Sequence, residues 1–225
     1  MVSSEGLGDA IHITLSLAAV TTVLLLLIAT PLAWWLARGH SVFKDVVTAI
    51  TTLPIVLPPT VLGFYLLVAM GPNSPLMVLF EPFGIRTLNF TFTGLVIGSV
   101  FYSLPFAVQP IRNAFAAIDP KQLDVASSLS ASRLRTFFDV VMPQSRRGFV
   151  TAALLVFAHT IGEFGVVLMI GGSIPGKTEV ISIRIYQLVE QLRWGEAHQL
   201  AAGLALFAFV IIMTLLWMDR HRAKS

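Results

Sequence analysis

The sequence predicts an all-α polytopic membrane protein with about five transmembrane helices, its N-terminus outside and its C-terminus in the cytoplasm, and short helices in one long cytoplasmic connection. Three observations carry that expectation: the composition, the lengths of the apolar runs, and the side on which Lys and Arg fall. Of 225 residues, 56% are apolar and 12% charged, with a mean hydropathy of +0.81. Soluble domains run at roughly 45–50% and 25%. The 15 Lys and Arg with 12 Asp and Glu are too few to cover a soluble globule of this size, so lipid is the expected solvent. This composition excludes a soluble enzyme as the starting expectation. The absence of Cys removes disulfides, thiolate metal sites and Cys nucleophiles together.

A span needs about 20 mostly apolar residues, because ~30 Å of hydrocarbon is crossed at ~1.5 Å per residue. Five runs meet that length: 11–37, 46–70, 90–111, 149–172 and 200–218. The first reads as a retained helix rather than a secretion signal, since Glu5 and Asp9 precede it and no Lys or Arg does. If the chain alternates, Arg38, Lys44, Arg112, Lys121, Arg133, Arg135, Arg146, Arg147, Arg220, Arg222 and Lys224 share one side. Only Arg86, Lys177, Arg184 and Arg193 fall on the other. The positive-inside rule makes the first side cytoplasmic. The same split explains the net charge of +3 and the pI near 9.6 by membrane flanks, so no nucleic-acid partner is expected. No fixed-period repeat is visible, and five spans do not divide into the two matching halves of secondary transporters.

Spans two and three carry interior prolines, Pro54, Pro58 and Pro59 in TLPIVLPPTVLG and Pro105 and Pro110 in SLPFAVQP. Each removes a backbone donor and crowds the preceding turn. Carbonyls freed in lipid need partners, so such sites face other helices or a watery cavity. The cluster in span two predicts a real interruption, which lines a pathway in one reading and serves only packing in the other. Span four holds an acidic residue inside an apolar run, Glu163 in HTIGEFG. A mid-bilayer carboxylate costs about 2.5–3.5 kcal/mol on insertion scales, so it is expected to face protein or water. His159, four residues earlier, falls on the same face of a continuous helix. Gly162 and Gly165 flank Glu163 and permit close backbone approach. Glu163 either gates the pathway or is structural, pairing with His159 or capping a neighbouring helix.

GGSIPGKT, residues 171–178, matches G-x-x-x-x-G-K-[ST]. A phosphate-binding loop needs a buried strand feeding it and a helix after it, so that backbone N–H groups converge on the phosphates. Here an apolar run of helical length feeds the loop, and the charge split places it outside the cell. The match is read as accidental, and no ATPase site is expected in this chain.

The cytoplasmic connection spans 112–148. Asp119-Pro120-Lys121-Gln122 reads as a helix start, with Asp as N-cap, Pro at the first helical position and Gln completing a capping box. Small residues follow, Ala126-Ser127-Ser128-Leu129-Ser130-Ala131-Ser132, and Ser132 is positioned to cap a second helix, RLRTFFDVV, ending before Pro143. Small residues let a partner approach closely. Alternatively Arg133, Arg135 and Phe137–Phe138 suit a helix lying on lipid headgroups. Composition leaves both readings open.

The stretch LDVASSLSASRLRTFFDVVMP resembles the cytoplasmic EAA loop of permease subunits of ATP-binding-cassette importers. Leu123 stands where that family has Glu, Val125-Ala126 where it has Ala-Ala, and Ser130 where it has Gly, while the spacing from Ser130 to Pro143 is the family's. LPIVLPPTVLGFYLLVAMGPNSPL, SLPFAVQPIRNAFAAIDP and IGEFGVVLMIGGSIPGKT are similar to the molybdate branch, over residues 15–202. Sulfate permeases share GEFG and resemble the rest less closely.

The resemblance implies a single permease domain over 1–225, in the bacterial cytoplasmic membrane, working as a homodimer with a second permease copy. It implies two ATP-binding-cassette ATPase subunits that hold the ATP and Mg, with no cofactor in this chain, and an extracytoplasmic oxyanion-binding protein. The coupling segment would comprise Asp124, Val125, Ala126, Ser127, Ser128, Leu129, Ser130, Ala131, Ser132, Arg133 and Arg135. Candidates for the translocation path or gate are Pro58, Pro59, Ser99, Ser103, His159 and Glu163. An ionised Glu163 would repel a dianion in a low-dielectric passage, which favours its structural role. Neutral hydroxyls suit the passage better, and Ser99 and Ser103 either line it or hold helices together. Molybdate, tungstate and sulfate are not separated by the sequence. Two rival classes are a self-contained channel or carrier, for which only Glu163 and His159 supply intramembrane charge, and a membrane-embedded interaction protein without transport.

Overall fold

A computed structural model describes residues 4–39 and 41–220, with side chains described for 6–39 and 41–217. Arg222 and Lys224 lie outside the described residues. Among those described there are helices and turns and no strand. The first helix, α1, covers Ser4–Ala37. Its buried stripe includes Ala18, Ala29 and Ala33, all fully enclosed, whose small side chains let neighbouring backbones come close. Thr14, Thr22 and Thr30 return their hydroxyls to the carbonyls of Ala10, Ala18 and Leu26, which satisfies them without water.

Span two is interrupted, as its prolines predict. The helix α2, Val42–Val56, starts at an N-cap on Ser41, and α3, Pro59–Ala69, leaves it at 112°. Leu57 and Pro58 each precede a proline, which disfavours the helical region, and both are extended at ψ 138° and 135°. A short helix, α4 (Pro75–Val78), and a 3₁₀ turn at Glu81–Phe83 lead to α5, Phe92–Ala116, capped by Thr91. Despite Pro105 and Pro110, α5 runs unbroken. It packs most extensively on α1.

The cytoplasmic connection forms α6, Pro120–Ser128, and α7, Arg133–Thr136. Asp119 caps α6 through Lys121 N at 2.9 Å, and Ser132 caps α7 through Arg135 N at 3.3 Å. Two expectations fail here. The Gln122 side chain accepts from Gln144 instead of closing a capping box. The second helix also does not stop before Pro143: a wide π-helical turn, Phe137–Val141, takes up the missing N–H, and the chain continues into α8, Met142–Gly162.

Span four is broken as well, contrary to the single run read from the sequence. Glu163, at ψ 133°, ends α8, and α9, Gly165–Gly171, departs at 60°. The carbonyl freed at Glu163 accepts from Ser182 Oγ. Beyond a loop, α10 (Ile181–Glu190) was not anticipated, because its polar residues hide it from a search for spans. It is tied to α1 by Ile181 N donating to Thr14 Oγ1 at 2.9 Å. The last helix, α11 (Trp194–Arg220), is peripheral and presents apolar side chains outward, among them Leu206, Phe209 and Trp217.

Three helices are long and apolar enough to cross a membrane, or five if each bent pair is one span. The packing decides for α2 and α3. At one end, Thr14 of α1 meets the start of α10, and Phe90, just before α5, bonds Ile170 of α9. At the other end, Trp34 of α1 meets Phe115 of α5 edge-on at 5.1 Å. So α1 and α5 run the same way, and the chain between them must return through α2 and α3.

Candidate functional site

The two breaks face each other. Gly63 of α3 lies against Met169 and Val166 of α9, and a Cβ at Gly165 would sit 2.6 Å from the Pro59 Cβ. Only glycine allows that approach. Gly162, expected to act likewise, does not: a Cβ there meets nothing within 4 Å. Beside the junction, near the middle of α5, a cavity of about 490 Å³ is lined by Pro59, Thr60, Tyr102, His159 and the Gly162–Gly165 break. No Lys or Arg lines it. Pro58 stands just outside, as the N-cap of α3.

Ser99 and Ser103 are fully buried and stand behind the cavity wall. Each holds one polar group of the opposite helix. Ser99 Oγ donates to Glu163 Oε2 at 2.8 Å, and Ser103 Oγ lies 2.9 Å from His159 Nδ1. Of the readings open for Glu163, a pair with His159 does not form, because Glu163 is past the end of α8 and no longer shares the helical face of His159. Glu163 is 3% exposed, and its Oε1 is enclosed without a partner among the described residues. The His159 ring packs against Phe106 and Tyr102, with centroids 4.2 and 4.8 Å away. Sequence reasoning named Ser99, Ser103, His159 and Glu163 but missed the pairing, and it missed Thr60 and Tyr102. Nothing in a linear pattern marks contacts across more than 50 residues.

At the far end, the apolar coupling candidates Val125 and Leu129 form an outward-facing ridge. Val125 and Leu129, four residues apart, are 60% and 77% exposed, and Leu134 of α7 is exposed as well. Ala126 is buried. Ser127 and Ser128 turn their hydroxyls to the Asp124 carbonyl at 2.8 and 2.9 Å. Arg135 pairs with Asp139 at the surface, and Arg133 lines a smaller cavity with Arg38, Trp34, Ser127 and Ala131. The ridge is anchored by Phe137, which packs edge-on against Trp34 at 5.7 Å, with Phe115 next to both. Phe137 thus connects the segment that carries the ridge to α1 and α5.

The GGSIPGKT loop follows α9 rather than a strand, and Thr178 is turned inward, donating to the Gly171 carbonyl at 2.6 Å. Among the described residues, no three His, Asp or Glu side chains converge as a metal site.

The family described as the inner membrane component of binding-protein-dependent transport systems matches residues 29–221. The chain belongs to that family. It is 56% identical over 214 residues to the molybdenum transport system permease protein ModB of Azotobacter vinelandii, covering 95% of each chain. To ModB of Haemophilus influenzae it is 34% identical, with 96% and 95% covered. A sulfate transport system permease protein, CysT of Salmonella typhimurium, is 27% identical, with 96% of this chain and 77% of that one covered. Among solved structures, a bacterial alginate ABC transporter in complex with an alginate-bound periplasmic protein matches with a TM-score of 0.77 at 18% identity, covering 99% of this chain and 81% of that one. That likeness shows the fold. This inner membrane component is thus a multi-pass protein of the cytoplasmic membrane.

In this permease the turn that ends α6 carries a backbone cost. α6 ends in a Schellman motif, with Ala131 N bonding Ala126 O at 3.1 Å and Ser130 N bonding Ser127 O at 2.9 Å. Ser130, where the resemblance expects Gly, is left-handed at φ 57°. A left-handed residue with a Cβ costs roughly 1–2 kcal/mol, part of which Gly returns in lost chain entropy. Ser130→Gly is expected to raise the melting temperature by about 2–4 °C and leave transport unchanged. A fall in melting temperature would contradict this.

Proposed function

We propose that this chain is the membrane-spanning subunit of an importer for a tetrahedral oxyanion, molybdate or the similarly sized and charged tungstate. The observation that carries the reading is the 56% identity to a molybdenum transport permease across 95% of both chains. The sulfate permease is more distant at 27%, and sulfate is the second reading. Two copies form the pore, two separate ATPase subunits hold ATP and Mg, and an extracytoplasmic binding protein delivers the oxyanion. The cationic end carrying Arg38, Lys44, Arg133 and Arg135 is cytoplasmic, which puts the N-terminus outside.

In this reading the chain makes and breaks no covalent bonds. The ridge of Val125 and Leu129 seats in the ATPase, because water-facing apolar side chains in one patch mark a contact surface. ATPase closure moves the ridge, and Phe137, Trp34 and Phe115 pass that motion to α1 and α5. The junction of the two breaks, where rigid segments meet at bends of 112° and 60°, is where access changes.

The test is uptake of molybdate into vesicles holding the complete complex, with binding protein outside and ATP inside. ATP-dependent accumulation that needs the binding protein is expected. Uptake that persists without the ATPase subunit would indicate a self-contained carrier.

A further inference from the structure

Resting on the importer reading, we infer that the cavity at the junction of the breaks is a transient oxyanion site built from uncharged donors, with His159 Nε2–H its central one and Ser103 and Thr160 positioning that residue. No Lys or Arg lines the cavity, and Glu163, the acidic residue in its lining, is 3% exposed, with Oε2 held by Ser99 and Oε1 closed off. What remains for a ligand is the His159 ring edge and the hydroxyls of Thr60 and Tyr102, which carry no hydrogen bond among the described residues.

The hydrogen on His159 is set from behind. Thr160 Oγ1 is buried, and Ser103 Oγ, 3.4 Å away, is its only side-chain partner among the described residues. With Thr160 as the donor to Ser103, the arrangement that gives its buried hydroxyl hydrogen an acceptor, the Ser103 hydroxyl is left to donate to His159 Nδ1, 2.9 Å away. An imidazole that accepts at Nδ1 carries its hydrogen on Nε2. Nε2 has no hydrogen-bond partner among the described residues and is not fully enclosed, and the ring that carries it lines the cavity. Phe106 and Tyr102 fix the ring plane. The direction of this donor is therefore built in.

The chemistry fits a tetrahedral oxyanion, which only accepts hydrogen bonds. Uncharged donors hold such a dianion without the deep well that a fixed cation would create, and a transit site must release what it binds. About 490 Å³ also leaves room for part of the hydration shell, at roughly 30 Å³ per water.

The experiment compares His159→Asn with His159→Gln in the complete complex reconstituted with ATPase and binding protein, reading molybdate uptake, binding-protein-stimulated ATP hydrolysis and melting temperature. Asn keeps a group that reaches Ser103 and lacks the distal donor. Gln keeps an amide N–H near the Nε2 position. His159→Asn is expected to lower uptake about tenfold while ATP hydrolysis and melting temperature stay near wild type, and His159→Gln to stay within about threefold of wild type. Equal uptake by the two variants, whether high or low, would overturn the inference and leave the importer reading standing. Absence of uptake by the wild-type complex would overturn both. Should His159→Asn not assemble, Ser103→Ala is read instead: loss of uptake with hydrolysis retained supports the relay, and unchanged uptake overturns it.

Discussion

Replacing Leu129 with Asp is expected to abolish binding-protein-stimulated ATP hydrolysis in the assembled transporter and to leave the permease folded. Leu129 is 77% exposed, so the folded chain loses little packing by the change. If the ridge seats in an ATPase groove, the new carboxylate is buried without a partner, at a cost of several kcal/mol, and the contact is lost. Val125→Asp, on the same face, is expected to act alike. Arg135→Ala is the control, because its pair with Asp139 is 76% and 61% exposed and such pairs contribute about 0–1 kcal/mol. Co-purification of the ATPase with each variant, followed by hydrolysis assays, separates failed docking from failed signalling. Normal hydrolysis by Leu129→Asp would mean that the ridge rests on lipid headgroups, the other reading its Arg and Phe content allows.

The second large effect is expected at Gly165. A valine there drives a branched side chain into Pro59, whose ring cannot retreat, since a Cβ alone lies 2.6 Å from the Pro59 Cβ. Overpacking of this kind costs about 1–3 kcal/mol, and here it also pushes apart the two helices whose breaks form the cavity. Gly165→Val is expected to lose uptake and to lower the melting temperature by about 5 °C. Gly162→Ala, three residues away, meets nothing within 4 Å and is expected to leave the melting temperature unchanged. Matching behaviour of the two variants would show that close approach at Gly165 is not what organises the junction.

The contrast between these glycines shows what could be read from the chain and what could not. Apolar length revealed the spans because the bilayer sets a minimum, and Asp119 and Ser132 revealed helix starts because capping is chemistry within three residues. The interruption at Pro58-Pro59 was legible for the same local reason. The break at Glu163 was not, because glycine permits a bend without requiring one and the partner that shapes it, Pro59, is a hundred residues away. Ser99 and Ser103 were identified as polar groups on α5, yet their partners depended on a packing that no spacing encodes. The end foreseen at Pro143 failed because a π-helical turn absorbed the proline. α10 escaped notice because it is helical through its contacts with α1 and α8 rather than through apolar length.

The central claim is that five crossings leave the Val125–Leu129 ridge in the cytoplasm and the 171–178 loop outside. The chain has no Cys, so single cysteines can be placed on a silent background. Leu129→Cys and Lys177→Cys both fall at exposed positions. Labelling with a membrane-impermeant maleimide is expected at position 177 in intact cells and at position 129 only in inside-out vesicles. Labelling of both positions from the same side would contradict the account.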